Sequence, residues 1–325
     1  MRKRQREFLD RSRGSLVALP TPLRGGALDI DSFEGLVAFQ ARHATRGIVL
    51  ATATGEGPTL RRGEREELIL HAALTASRAA RDAGGDRERM LVVAAVGTAD
   101  TRESAELARD ALSAGADAIL VATPYYSRPS RHGLLRHLGE IAEHTDDAPI
   151  LFHNDPERCG LDLEPEAIEE LSSFVPGVVG LVEGNARPAR VRRVVEACGL
   201  SVFGAVDRMI APFTLHGAHG VMSIAANLVP AEVARLVETA QSALERRLEP
   251  GEDPRAAAER MEIDLAPILD ALSIEQDPGP LKGALEALGA CSAEVRAPLA
   301  VLEPENRARL ESALTSARLL VPSSK

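Results

Sequence analysis

Met90-Leu91-Val92-Val93-Ala94-Ala95-Val96, then a segment with helical periodicity from Thr101 to Ala114, then Ala118-Ile119-Leu120-Val121-Ala122, reads as strand, helix, strand. Continuous apolar runs of this length suit strands buried on both faces, as in a parallel sheet. Working outward, equivalent runs lie at Leu16 to Leu19, Gly47 to Ala51, Pro149 to Phe152, Val178 to Val182, Val202 to Ala205 and Val221 to Ala225. Helical segments separate them, among them Ser32 to His43, Arg65 to Ala83, Arg131 to His144 and Pro165 to Phe174, several opening on Ser, Thr, Asp or Pro as helix starts do. Eight such units in about 235 residues predict an α/β fold, a (β/α)8 TIM barrel over residues 14–249. Pro250-Gly251-Glu252-Asp253-Pro254 then breaks the chain, and the pattern beyond predicts a C-terminal helical extension over 250–325.

A chain of 325 residues buries a large core as one barrel with an appendage, without a second domain. Cys159, Cys198 and Cys291 are an odd number without framework spacing, which favours a reducing compartment. Met1 to Arg13 is basic, lacks the apolar stretch of a signal peptide and reads as a solvated arm; no later run approaches membrane-span length, so a cytoplasmic protein is expected. A formal net charge of −10 argues against a nucleic-acid partner, whose phosphates need neutralising. Neither a glycine-rich phosphate loop nor a Cys-x-x-Cys pair is present, and no cofactor is expected.

Six local patterns, in order, carry a family resemblance. They are Gly14 to Pro22, Thr54-Gly55-Glu56-Gly57-Pro58-Thr59-Leu60 with Glu64-Arg65, Thr123-Pro124-Tyr125-Tyr126, Asn154-Asp155-Pro156-Glu157-Arg158-Cys159-Gly160, Gly217 to Ser223, and Asp277-Pro278-Gly279-Pro280-Leu281-Lys282. Together they resemble the dihydrodipicolinate synthase and N-acetylneuraminate lyase family of class I aldolase barrels over roughly residues 14 to 320. The last pattern resembles the family's Asn-Pro-x-Pro-x-Lys helix start. The resemblance implies lyase chemistry on carbon–carbon or carbon–oxygen bonds, run through an imine between a strand-six lysine and a 2-oxo acid. Protonated imines accept electron density that a plain ketone holds poorly.

Only three lysines occur, Lys3, Lys282 and Lys325. Gly180-Leu181-Val182-Glu183-Gly184 stands where the family reads Gly-x-Lys-[Asp/Glu], so Val182 takes the lysine's place, and a slip by one residue offers only Leu181. Two more members of the implied machinery are missing. His153 occupies the place of the strand-five tyrosine, and Ala53 that of the relay threonine in Thr52-Ala53-Thr54-Gly55-Glu56. Tyr126 alone remains of the relay, at a position where the family's residue reaches a neighbouring subunit's site. A homodimer or homotetramer is therefore expected.

What remains suits binding. By the resemblance, Thr54 and the backbone N–H groups from Thr54 to Glu56, Gly55 included, grip a carboxylate, and Arg158 meets a second acidic group with a fork suited to bidentate contact. Each has a plainer reading: Thr54 and Gly55 as turn residues, Arg158 as a rim ion-pair member, Glu56 as a loop orienter. His153 is either a compensating acid-base or an inert occupant of a tyrosine-shaped space. A metal held by His153, Glu183 and Asp207 is disfavoured, because Glu183 faces away if Val182 faces inward. His216 and His219 read as turn residues, and Lys282 as part of a helix start outside the barrel. The expected function is binding of a small carboxylate or 2-oxo acid without Schiff-base aldolase activity. The alternative is a lyase or related enzyme on a small oxo or hydroxy acid, with His153 as acid-base.

Overall fold

The computed structural model describes residues 1–43, 45–84, 88–244 and 253–320. Eight parallel strands close into a barrel: β1 Gly14–Ala18, β2 Gly47–Leu50, β3 Leu91–Ala95, β4 Ala118–Ala122, β5 Ile150–Asn154, β6 Val178–Glu183, β7 Ser201–Gly204 and β8 Gly220–Ser223. Each strand pairs with its sequence neighbour, and Gly14 opposite Gly220 closes β8 onto β1. All eight lie within two residues of the runs read from sequence, and the five helices named there lie within three. Residues 250–252, where the chain break was expected, lie outside the described residues, as does the proposed boundary at 249.

Strands and helices are joined by local chemistry. Asp100 accepts from the N–H groups of Arg102 and Glu103 at the start of Thr101–Ser113, and Ser130 accepts from Gly133 at the start of Arg131–Ala142. The amide of Asp117 donates to the Val92 carbonyl at 2.8 Å, and its carboxylate accepts from the Val92 amide at the same length, which fixes β4 against β3.

Two apolar layers result. The outer one lies between strands and helices, with Ile48, Val92, Ile119, Phe152, Leu181, Val202 and Val221 on the strand side. The inner one fills the barrel with Leu16, Val49, Leu91, Val93, Leu120, Leu151, Val182, Phe203 and Met222.

The amino-terminal segment corrects the expectation of a solvated arm. Lys3–Ser12 is a helix whose Phe8 and Leu9 join the inner barrel cluster, while its arginines stay mostly at the surface. The Nε2–H of His219, in the turn before β8, donates to the Leu9 carbonyl at 2.8 Å, and the His219 ring meets Phe203 edge-on at 5.3 Å. His216 donates locally to the Pro212 carbonyl. The two histidines thus serve the closed, amino-terminal end of the barrel. Charge counting missed this helix because two apolar residues among four arginines and lysines suffice to plug a barrel end when they lie on one helical face.

The extension contributes helices Pro254–Leu272, Gly279–Ala287 and Pro304–Ser316. Its first helix docks on the barrel, where Glu262 accepts from the Ala211 amide at 2.9 Å. Cys159, Cys198 and Cys291 are free thiols, and no described helix is long and apolar enough to cross a membrane. Phe8 is only 3 % exposed, so Phe8→Ala should lower the unfolding free energy by about 3–5 kcal/mol in urea denaturation. A loss below about 0.5 kcal/mol would return the segment to the status of an arm.

Candidate functional site

The carboxyl ends of the strands carry the residues of interest, and the loop after β2 is the most tightly determined of them. Ala51 and Glu56 both adopt the left-handed region, with φ of 56° and 54°, a conformation that costs non-glycine residues of order 1–3 kcal/mol each. Between them the backbone doubles back so closely that a Cβ on Gly57 would lie 1.9 Å from the Ala51 carbonyl oxygen. Side chains from elsewhere hold the loop in place. The buried Glu56 carboxylate receives the Lys282 ammonium on Oε1 and the Arg296 amide on Oε2, the latter at 2.8 Å. The Lys282 Nζ also donates to the Glu294 carbonyl at 2.6 Å, and Thr21 donates to the Gly55 carbonyl at 2.7 Å.

Lys282 lies in the helix Gly279–Ala287, as expected, but it is wholly buried. Burial pushes its ammonium below the usual lysine range, against the opposing pull of Glu56. With its nitrogen engaged by Glu56 and Glu294, it clamps the extension to the β2 loop.

Across the barrel mouth, β5 and β6 set two residues side by side: His153 pairs in register with Val182, and Val182 with Phe203. Val182 is fully buried in the inner apolar layer. Burial holds the His153 imidazole below its ordinary range; Asp155 opposes this and Arg158 adds to it. The ring is therefore neutral at pH 7. Glu183 turns to the outer face of β6, where it accepts from Asn154 at 2.8 Å, Asn185 N at 3.0 Å and Arg190 Nε at 2.9 Å. His153, Glu183 and Asp207 accordingly do not converge, and no group of three or more possible metal ligands occurs among the described residues.

The remaining groups meet around a residue that sequence reasoning treated only as part of a helix-start motif. Thr54 donates to Asp277 Oδ2 at 2.7 Å, and Arg158 Nη2 approaches the same oxygen at 3.8 Å. Arg158 also faces Asp155 at 3.5 Å, and its side chain is 42 % exposed. Burial raises the Asp277 carboxyl above the usual range; Thr54 and Arg158 pull it back, while Asp207 and Glu56 add to the rise. Burial likewise raises Asp207, whose carboxylate receives the Ile224 and Ala225 amides at 2.9 and 2.8 Å. The Cys159 thiol is pushed up to about 11 by burial, which leaves it un-ionised at neutral pH. Tyr126 stands apart: it is 98 % exposed, in the loop beyond β4, with φ of 68°. Within one chain, then, Thr54 and Arg158 converge, His153 and Val182 adjoin, and Tyr126 joins neither pair.

A family model described as the dihydrodipicolinate synthetase family matches residues 11–317. The chain belongs to that family. The 4-hydroxy-tetrahydrodipicolinate synthase of Persephonella marina is 34 % identical over 305 residues, covering 93 % of this chain and 97 % of the relative. That of Nitratidesulfovibrio vulgaris (strain DSM 19637 / Miyazaki F) is 32 % identical over 309 residues, covering 94 % and 99 %. Among solved structures, dihydrodipicolinate synthase from Aquifex aeolicus superposes with a TM-score of 0.85 at 31 % identity, covering 96 % of this chain and 100 % of that one. The chloride-inhibited enzyme of Acinetobacter baumannii, complexed with pyruvate, gives 0.85 at 30 % identity, covering 95 % and 100 %.

Breaking the buried pair should be costly in this member of the dihydrodipicolinate synthetase family. Lys282→Met leaves Glu56 without its counter-charge in a strained loop, and denaturant titration should show a loss of about 3–5 kcal/mol. A change under about 1 kcal/mol would mean that the loop holds itself.

Proposed function

We propose that this protein binds a small carboxylate or 2-oxo acid at the mouth of its barrel and does not run Schiff-base aldolase chemistry. One observation carries the reading: Val182, aligned by the Gly180-Leu181-Val182-Glu183 stretch with the family's imine-forming lysine, is an apolar side chain buried against the barrel interior. No lysine lies between residues 4 and 281, and the nitrogen of Lys282 is held by Glu56 and Glu294. An imine requires an unprotonated amine free to attack a carbonyl carbon. A 2-oxo acid is the class of ligand that the Acinetobacter baumannii relative holds as pyruvate, and Thr54 and Arg158 are this chain's carboxylate-directed groups.

A second reading is supported by the neutral imidazole of His153 beside Val182. A neutral ring can accept a proton from the carbon next to a carbonyl and return it elsewhere, which makes acid-base chemistry on a small oxo or hydroxy acid the alternative. Tyr126, almost wholly exposed on a left-handed backbone, is in turn proposed to be covered by a second copy of the chain in a homodimer or homotetramer.

Borohydride reduction in the presence of pyruvate, read by intact mass, should leave the protein unmodified. A pyruvate-derived adduct stable to denaturation would overturn the first reading. In calorimetry, Arg158→Ala should weaken pyruvate binding by about tenfold through loss of a charge-assisted contact. Should any small acid be turned over and His153→Ala abolish this with folding intact, the second reading replaces the first.

A further inference from the structure

We propose that Asp277 is a built-in competitor for the carboxylate site: its side chain takes the Thr54 hydroxyl and faces Arg158, so that an ionised Asp277 and an acidic ligand exclude each other. The proposal rests on the reading that Thr54 and Arg158 are the ligand's anchors. Asp277 Oδ2 lies 2.7 Å from Thr54 Oγ1 and 3.8 Å from Arg158 Nη2, while its buried Oδ1 has no hydrogen-bond partner among the described residues. A second carboxylate placed on these donors would meet the largely buried Asp277 carboxylate, 11 % exposed, at contact range, where like charges repel. The family pattern resembled by this stretch has asparagine at this position, a neutral amide that satisfies Thr54 without opposing an anion.

The groups facing Asp277 from each element packed on it determine the sign of the pH dependence. From the β2 loop come Thr54 and Glu56, the latter paired with Lys282; from the turn after β5, Arg158, whose partner Asp155 and neighbour His153 act on it in turn; from beyond β7, Asp207. Burial raises Asp277, and Asp207 and Glu56 reinforce the rise against Thr54 and Arg158. As pH falls through that raised range, Asp277 gains a proton, ceases to repel an anion and can donate its O–H to the incoming carboxylate. Above the range, affinity for an acid falls by about tenfold per pH unit, by linkage. His153, depressed by burial, acquires charge only at lower pH and would favour anions there independently.

Calorimetric titration of the full-length protein and Asp277→Asn with pyruvate, from about pH 5 to about pH 8 at constant ionic strength, separates these terms. The variant is expected to bind pyruvate about tenfold or more tightly than the parent at the alkaline end, with the two converging at the acid end. Pyruvamide, which lacks the charge, should not distinguish them. Equal or weaker pyruvate binding by Asp277→Asn at the alkaline end overturns the proposal alone; absence of pyruvate binding by both proteins at every pH overturns the carboxylate-binding reading with it. Thermal unfolding supplies a readout without ligand. A carboxyl raised in the folded state destabilises the parent once pH exceeds the ordinary carboxylate range, so Asp277→Asn should melt higher at neutral pH and lose that advantage in acid. A lower melting temperature at neutral pH contradicts the buried-carboxylate account.

Discussion

The ion pair between Glu56 and Lys282 joins two parts of the chain that are 226 residues apart, and the geometry of the barrel mouth depends on it. Taking two charges out of water is costly unless each finds further partners. Here the Arg296 amide and the Glu294 carbonyl complete the set, both from the segment after the helix that carries Lys282. In return the β2 loop is held with Glu56 on a left-handed backbone, and Thr54 is presented toward Asp277. The extension is therefore part of the site: it supplies both the cation that fixes the loop and the carboxylate that faces it.

Burial shifts the titrating groups at this mouth toward their uncharged forms. His153 is lowered, and Asp207 and Asp277 are raised, in each case chiefly by loss of water. Arg158, by contrast, reaches solvent with its side chain 42 % exposed. The barrel belongs to a family whose relatives include named synthases, yet the fold leaves the chemistry to individual side chains, and Val182 is the one on which the proposed departure turns.

The strands were legible because parallel strands covered on both faces must be apolar throughout, so their runs stand out against amphipathic helices. That no lysine lies between residues 4 and 281 needs no structure, only a count. Phe8 and Leu9 were not legible, since composition averages a basic segment and hides the face that two apolar residues make once helical. Lys282 was placed on its helix correctly, but its burial depends on Glu56, and sequence separation carries no sign of that pairing. Asp277 was hidden in the same way. Its meaning depends on Thr54 and Arg158 arriving from two other elements, and only closure of the barrel and docking of the extension bring the three together.

The most direct measurement of the proposed vacancy is a carbon-13 spectrum of pyruvate labelled at its keto carbon, recorded with excess unmodified protein at neutral pH. Resonances of the free and bound ketone and its hydrate are expected, and nothing else. A protein-borne signal at the shift of an imine or enamine carbon would contradict the absence of a carbonyl-capturing amine.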